Sequence, residues 1–180
     1  MPHEPKAWPP PDLQEDVPLT YPALLLKYAP MTPSYVPAVL SSDDPARAVT
    51  YGSLLTHVCE LALELRNKYG VRDGKAVVIL MEKSPRYIQV LLATLVAGGA
   101  YIPLSPRDPP TLLEKVVENV HPVVAFCDAG LFLKGVPIVV PEEHLEAREQ
   151  PSADLLEQVH CSALLCNDDF EQSVTTYLIY

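Results

Sequence analysis

Six consecutive apolar residues, Ala76-Val77-Val78-Ile79-Leu80-Met81, constrain the fold more than any other feature. The run is too short for an ordinary helix and is β-branched at three positions, so it reads as a strand. With no polar alternation it has no face to give to water. Strands buried on both faces belong to parallel sheets with helices above and below. The surroundings agree with that reading. Thr50 is placed to cap an amphipathic helix with Leu54, Leu55, Val58, Leu61, Ala62 and Leu65 at helical spacing, and Gly70 to stop it. Gly74 marks a turn into the strand. Ser84-Pro85 is an N-cap followed by a first-turn proline. The helix it opens is expected to present Ile88, Leu91, Leu92 and Leu95 on one face and to stop at Gly98-Gly99.

The alternation continues. Residues 100–104 read as a short strand that Pro103 confines to an edge or an end. Pro109-Pro110 precedes a helix carrying Leu112, Leu113, Val116, Val117 and Val120. Residues 123–127, 136–140 and 175–180 read as further strands, and the acidic stretch 141–157 as loop with one helix. Strands separated by helical segments imply βαβ units. The expected fold class is therefore α/β, a largely parallel sheet with flanking helices, over residues 23–180. Residues 1–22 differ: Pro9-Pro10-Pro11 with Asp12, Glu15 and Asp16 form a Pro-rich, extended lead-in. Leu24, Leu25, Leu26 and Tyr28 then suggest a short helix ended before Pro30.

Charge and cysteine content narrow the setting. A net charge of −10 argues against nucleic acid and anionic membrane as partners, because both need clustered Lys and Arg. The apolar stretch 87–104 is interrupted by Gln89, Gly98-Gly99 and Pro103, so it reads as a buried helix and strand and not as a membrane span. Residues 1–13 hold no basic segment followed by an apolar core, which points away from a secretory signal. Cys59, Cys127, Cys161 and Cys166 are then expected as reduced thiols and the compartment as cytoplasm.

Residue chemistry by itself marks no active site. Neither Gly-x-Gly-x-x-Gly nor Gly-x-x-x-x-Gly-Lys-Ser/Thr follows any strand. His160-Cys161 and Cys166 lack the second element that zinc requires, and they read as part of a buried segment. Asp43-Asp44 and Asp168-Asp169 read as solvated loop acids. His57 is expected partly exposed on its helix, with no nucleophile nearby. No catalytic, cofactor-binding or metal-binding residue is assigned.

The motifs do resemble a known family. Val49-Thr50-Tyr51-Gly52-Ser53-Leu54-Leu55 is similar to the first core motif of adenylate-forming (AMP-binding) enzymes. Gly70-Val71-Arg72-Asp73-Gly74-Lys75 resembles that family's turn into a strand. Most specific is Leu95-Val96-Ala97-Gly98-Gly99-Ala100-Tyr101-Ile102-Pro103-Leu104-Ser105-Pro106, close to the second core motif, LKAGGAYVPLDP, and followed by Arg107-Asp108-Pro109-Pro110. This form looks most like adenylation domains of nonribosomal peptide synthetases. Two departures stand out. Ser53 replaces an acidic residue that would complete a capping box, worth about 0.5–1 kcal/mol, and Ser105 replaces an aspartate.

The resemblance implies the N-terminal part of such a domain, reaching Tyr180 where the phosphate loop would begin. The complete family enzyme would use ATP and Mg2+ to activate a carboxylic or amino acid for secondary-metabolite biosynthesis. Because these motifs scaffold the site, no catalytic residue carries over, and this chain is expected not to catalyse alone. Its partners would be a chain supplying the rest of the domain, or a carrier protein. The alternatives are a non-catalytic docking protein on the same scaffold, a fragment of an acyl-CoA ligase, and an inactive remnant of a synthetase gene.

Overall fold

A computed structural model describes residues 20–40, 48–141 and 151–164. Its centre is a four-stranded parallel sheet of β3 (Ala76–Leu80), β4 (Ala100–Leu104), β5 (Val124–Cys127) and β6 (Ile138–Val139), in the order β4-β3-β5-β6. Helices α1 (Tyr21–Tyr28), α2 (Tyr51–Tyr69), α3 (Pro85–Val96), α4 (Pro110–Val120) and α5 (Ala153–Leu164) surround it. A two-stranded antiparallel ribbon, β1 (Pro37–Val39) with β2 (Val49–Thr50), leads into α2. The expected α/β class and the strands near 76, 100, 124 and 138 are therefore present.

Strand β3 is central because its side chains are buried on both faces, as its unbroken apolar run requires. Val77 and Ile79 join Val124 and Phe126 beneath α2, α3 and α5. Val78 and Leu80 join Ala125 and Cys127 on the opposite face, where Leu113 and Val117 of α4 and the 131–136 segment cover them. After β3 the chain crosses by way of α3 to β4 on one side. After β4 it returns by way of α4, on the other face, to β5 on the far side of β3. Reversing direction while changing faces is what a single hand of crossover demands.

The helix ends follow local chemistry. Thr50 Oγ1 accepts the Ser53 N–H at 3.3 Å, and Gly70 closes α2 in the left-handed region at φ 63°. Ser84 Oγ accepts the Tyr87 N–H at 3.2 Å to open α3. An acid at Ser53 would accept the Thr50 N–H; the next two donors are met by backbone, with the Tyr51 and Gly52 N–H groups donating to the Val36 and Ser34 carbonyls at 2.9 and 3.0 Å. These bonds satisfy orphan donors that every helix start carries.

The Gly98-Gly99 pair has a separate steric cause at each position. Gly98 takes φ 85°, which favours glycine. Gly99 lies so close to β3's entry that a Cβ would meet Val71 Cγ1 at 2.5 Å and the Lys75 carbonyl at 3.1 Å.

Three expectations need correction. The buried side of α3 consists of Gln89, Val90, Leu92, Ala93, Thr94 and Val96, while Ile88 is 36% exposed and Leu91 and Leu95 are half-buried. Most positions of α3 are apolar, so composition did not locate the inner arc, where Val90, Ala93 and Val96, with the adjoining Ala97, share a cluster with α2. The helix expected within 141–157 begins at Ala153 and runs on to Leu164. Helix α1 starts at Tyr21, inside the stretch read as lead-in. The strand expected at 175–180, Asp43-Asp44, Asp168-Asp169 and Cys166 lie outside the described residues. No helix among the described residues is long and apolar enough to cross a membrane.

Candidate functional site

Open parallel sheets present ligands at the carboxyl ends of their strands, in the crevice where neighbouring strands leave in opposite directions. Here that crevice lies between β3, which connects outward to β4, and β5, which connects the other way to β6. Asp128 spans it. Its N–H donates to the Leu80 carbonyl at 3.3 Å, and its Oδ2 accepts the Glu82 N–H at 2.7 Å. A carboxylate on a backbone N–H makes a charge-assisted bond, stronger than a neutral pair. The two strand ends are thus tied to each other at the fold's usual binding crevice.

The end of β4 is organised in the same manner. Ser105 N–H donates to Asp108 Oδ2 at 2.7 Å, Asp108 N–H returns to the Ser105 carbonyl at 2.9 Å, and Arg107 N–H donates to Ser105 Oγ at 3.1 Å. Ser105 therefore supports the turn from the place of the motif's usual aspartate, since both side chains offer an oxygen to a following N–H. Arg107 Nη2 reaches back to Glu82 Oε1 at 3.4 Å. The two side chains are 84% and 60% exposed, so this ion pair contributes under about 1 kcal/mol.

Burial pushes the Cys127 thiol, at the end of β5, up to about 11, with Asp128 adding to the effect. Burial likewise pushes Cys59 up to about 12, aided by Glu60. A thiol held neutral is a poor nucleophile. His57 is half-buried, and its Nδ1 lies 2.7 Å from the Ser53 carbonyl, a contact along its own helix. His160 and Cys161 lie on α5. Among the described residues no three His, Cys, Asp or Glu side chains converge in a way that could hold a metal ion.

ATP and Mg2+ are implied for the complete family enzyme. At this edge the Asp108 and Asp128 carboxylates are turned onto backbone N–H groups and Glu82 onto Arg107, which does not fit a Mg2+ or phosphate cradle. No nucleotide step is therefore assigned to these residues. Sequence reasoning placed Arg107 and Asp108 in a motif but passed over Glu82 and Asp128. Their signal was positional: each is a charged residue within two positions of an apolar strand's carboxyl end.

The AMP-binding enzyme family matches residues 27–176. An L-proline–(L-prolyl-carrier protein) ligase of Streptomyces coelicolor is 31% identical over 140 residues, which are 78% of this chain and 20% of that protein. Surfactin synthase subunit 1 of Bacillus subtilis is 32% identical over 114 residues, 61% of this chain and 3% of that protein. The chain thus spans a fifth or less of these relatives. Among solved structures, the nonribosomal peptide synthetase FmoA3 in its α-methyl-L-serine-AMP bound form superposes with a TM-score of 0.58 at 25% identity, covering 66% of this chain and 13% of that one. VinN in complex with L-aspartate shares the fold with a TM-score of 0.56 at 18% identity, covering 78% of this chain and 37% of that one. With the family matched over residues 27–176 and its sheet folded as in those solved structures, the chain belongs to the AMP-binding enzyme family.

Proposed function

We propose that residues 23–180 form the N-terminal portion of a nonribosomal-peptide-synthetase-type adenylation domain, with residues 1–22 as its lead-in. Together with the remainder of such a domain it would serve ATP-dependent activation of a carboxylic or amino acid. In that reaction the acid's carboxylate oxygen bonds to the α-phosphorus of ATP and pyrophosphate leaves, with Mg2+ neutralising phosphate charge. The single observation that carries this reading is the family match across residues 27–176. The parallel sheet supports it by laying out the described residues of that span as a helix-and-strand scaffold. The described residues contribute structure: Asp128 and Asp108 hold the strand ends, and no catalytic group is assigned to them. A phosphopantetheine-bearing carrier protein is the proposed acceptor of the activated acid, since the similar Streptomyces coelicolor protein is named as a carrier-protein ligase. The cytoplasm is the proposed compartment, where buried unpaired Cys59 and Cys127 stay reduced.

The test is reconstitution. The chain is mixed with the remainder of an adenylation domain, starting at its phosphate loop, and ATP–pyrophosphate exchange is followed across a panel of amino and aryl acids. Exchange that appears with both pieces and with neither alone is the expected result. Neither complex nor exchange at micromolar concentrations would overturn the reading and favour a docking role for the scaffold.

A further inference from the structure

Among the described residues the outer edge of the sheet runs along β4, and the register assigns its hydrogen-bonding groups. Ala100 donates its N–H to the Lys75 carbonyl at 3.0 Å, and β4 runs parallel to β3 with Ala76 opposite Ala100 and Leu80 opposite Leu104. Alternate residues of a strand turn N–H and C=O to the same side. Ala100, Ile102 and Leu104 therefore face β3, and Gly99, Tyr101, Pro103 and Ser105 face outward. Gly99 N–H is already held by the Thr94 carbonyl at 2.9 Å. Pro103 has no N–H to offer. Ser105 N–H is held by the Asp108 carboxylate at 2.7 Å. Among the described residues the Tyr101 N–H is the one outward donor left along this stretch.

We infer that the outer edge of β4 is closed to strand addition, so that copies of this chain do not join sheet to sheet there. An open edge templates pairing because donors and acceptors alternate along it. On β4 that alternation is broken on both sides of Tyr101, which leaves an incoming strand acceptors without matching donors. Pro103 and Asp108 do this by different means: one deletes a donor, the other occupies it. Both belong to the stretch that carries the family resemblance. Their role in edge protection is distinct from anything that stretch does for a nucleotide.

The experiment uses the full 180-residue chain. Pro103→Val combined with Asp108→Ala restores two outward donors, and sedimentation velocity over a concentration series reads self-association. The expected result is association tightened by about tenfold or more, given that each added backbone bond contributes on the order of 1 kcal/mol. Adding Tyr101→Pro to that pair should return association to the wild-type level. Unchanged association in the double variant overturns the inference, as does association that survives Tyr101→Pro. A second measurement needs no variant: exchange of the Tyr101 amide in the wild-type chain, followed from micromolar to millimolar concentration. Concentration-independent exchange supports a closed edge, and protection that grows with concentration overturns it.

Discussion

Cys59 and Cys127 lie on opposite faces of the sheet, one in α2 and one in β5, and both are without accessible surface. Burial is the larger cause of their raised pKa values, about 12 and about 11 against an ordinary 9.0. The sign follows from proton linkage. The unfolded chain loses these thiol protons at lower pH than the folded one, so their contribution is intact below about pH 9 and is lost as pH rises towards 11–12. In a variant with Cys161→Ser and Cys166→Ser, modification by a chromogenic disulfide reagent at pH 8 should therefore proceed only as fast as global unfolding. Rapid modification of either thiol in the native protein would show that its burial is not maintained. The same scale explains why Asp128 and Glu82 escaped notice in the sequence. A single charged residue after a strand is common, and only the tertiary distance of 2.7 Å between the Asp128 carboxylate and the Glu82 N–H shows what it does.

At the scale of elements, the junction from α3 to β4 is the most demanding piece of geometry in the described chain. Gly98 supplies the left-handed turn and Gly99 the close approach to Val71 and Lys75. Gly99→Ala should destabilise the chain by about 1–3 kcal/mol, the usual cost of overpacking a dense contact, read as a lower urea midpoint. Gly74 is the control, because a Cβ there meets nothing within 4 Å and only its φ of 72° resists substitution. An unchanged midpoint for Gly99→Ala would mean that the junction relaxes freely. Elements of this kind were largely legible beforehand, since Thr50, Gly70, Ser84, Gly98 and Gly99 act through local backbone chemistry. What was not legible was which side of α3 faces inward. Gln89, a polar residue in an apolar helix, is fully buried, with its Oε1 accepting from Arg86 Nη1 at 3.3 Å. Hydrophobic periodicity has no term for such a residue.

At the scale of the molecule, among the described residues, the two faces of the sheet are unequally covered. Helix α2 buries nine residues and α3 six, whereas α4 buries none. Leu113 and Val117 of α4 touch the second cluster while Leu112 stays exposed. Local opening free energies follow the burial that holds each element. Native-state hydrogen exchange should accordingly show α4 amides exchanging by opening at lower free energy than those of α2 and α3. Equal protection in all three helices would contradict that hierarchy. The sequence alone did not disclose this imbalance, because α4 carries as regular an apolar stripe as α2.

The bonds from Ser34 and Val36 to the start of α2 bear on how this chain can be cut. The N–H groups of Tyr51 and Gly52 rest on those two carbonyls, and Gly52 lies so close that a Cβ would stand 2.8 Å from Ser34 Cβ. The stretch before the first core motif is thus part of that motif's foundation. A shortened version begun after Val36 would expose the opening turn of α2, the longest helix among the described residues, however faithfully it preserved every residue of the motif itself.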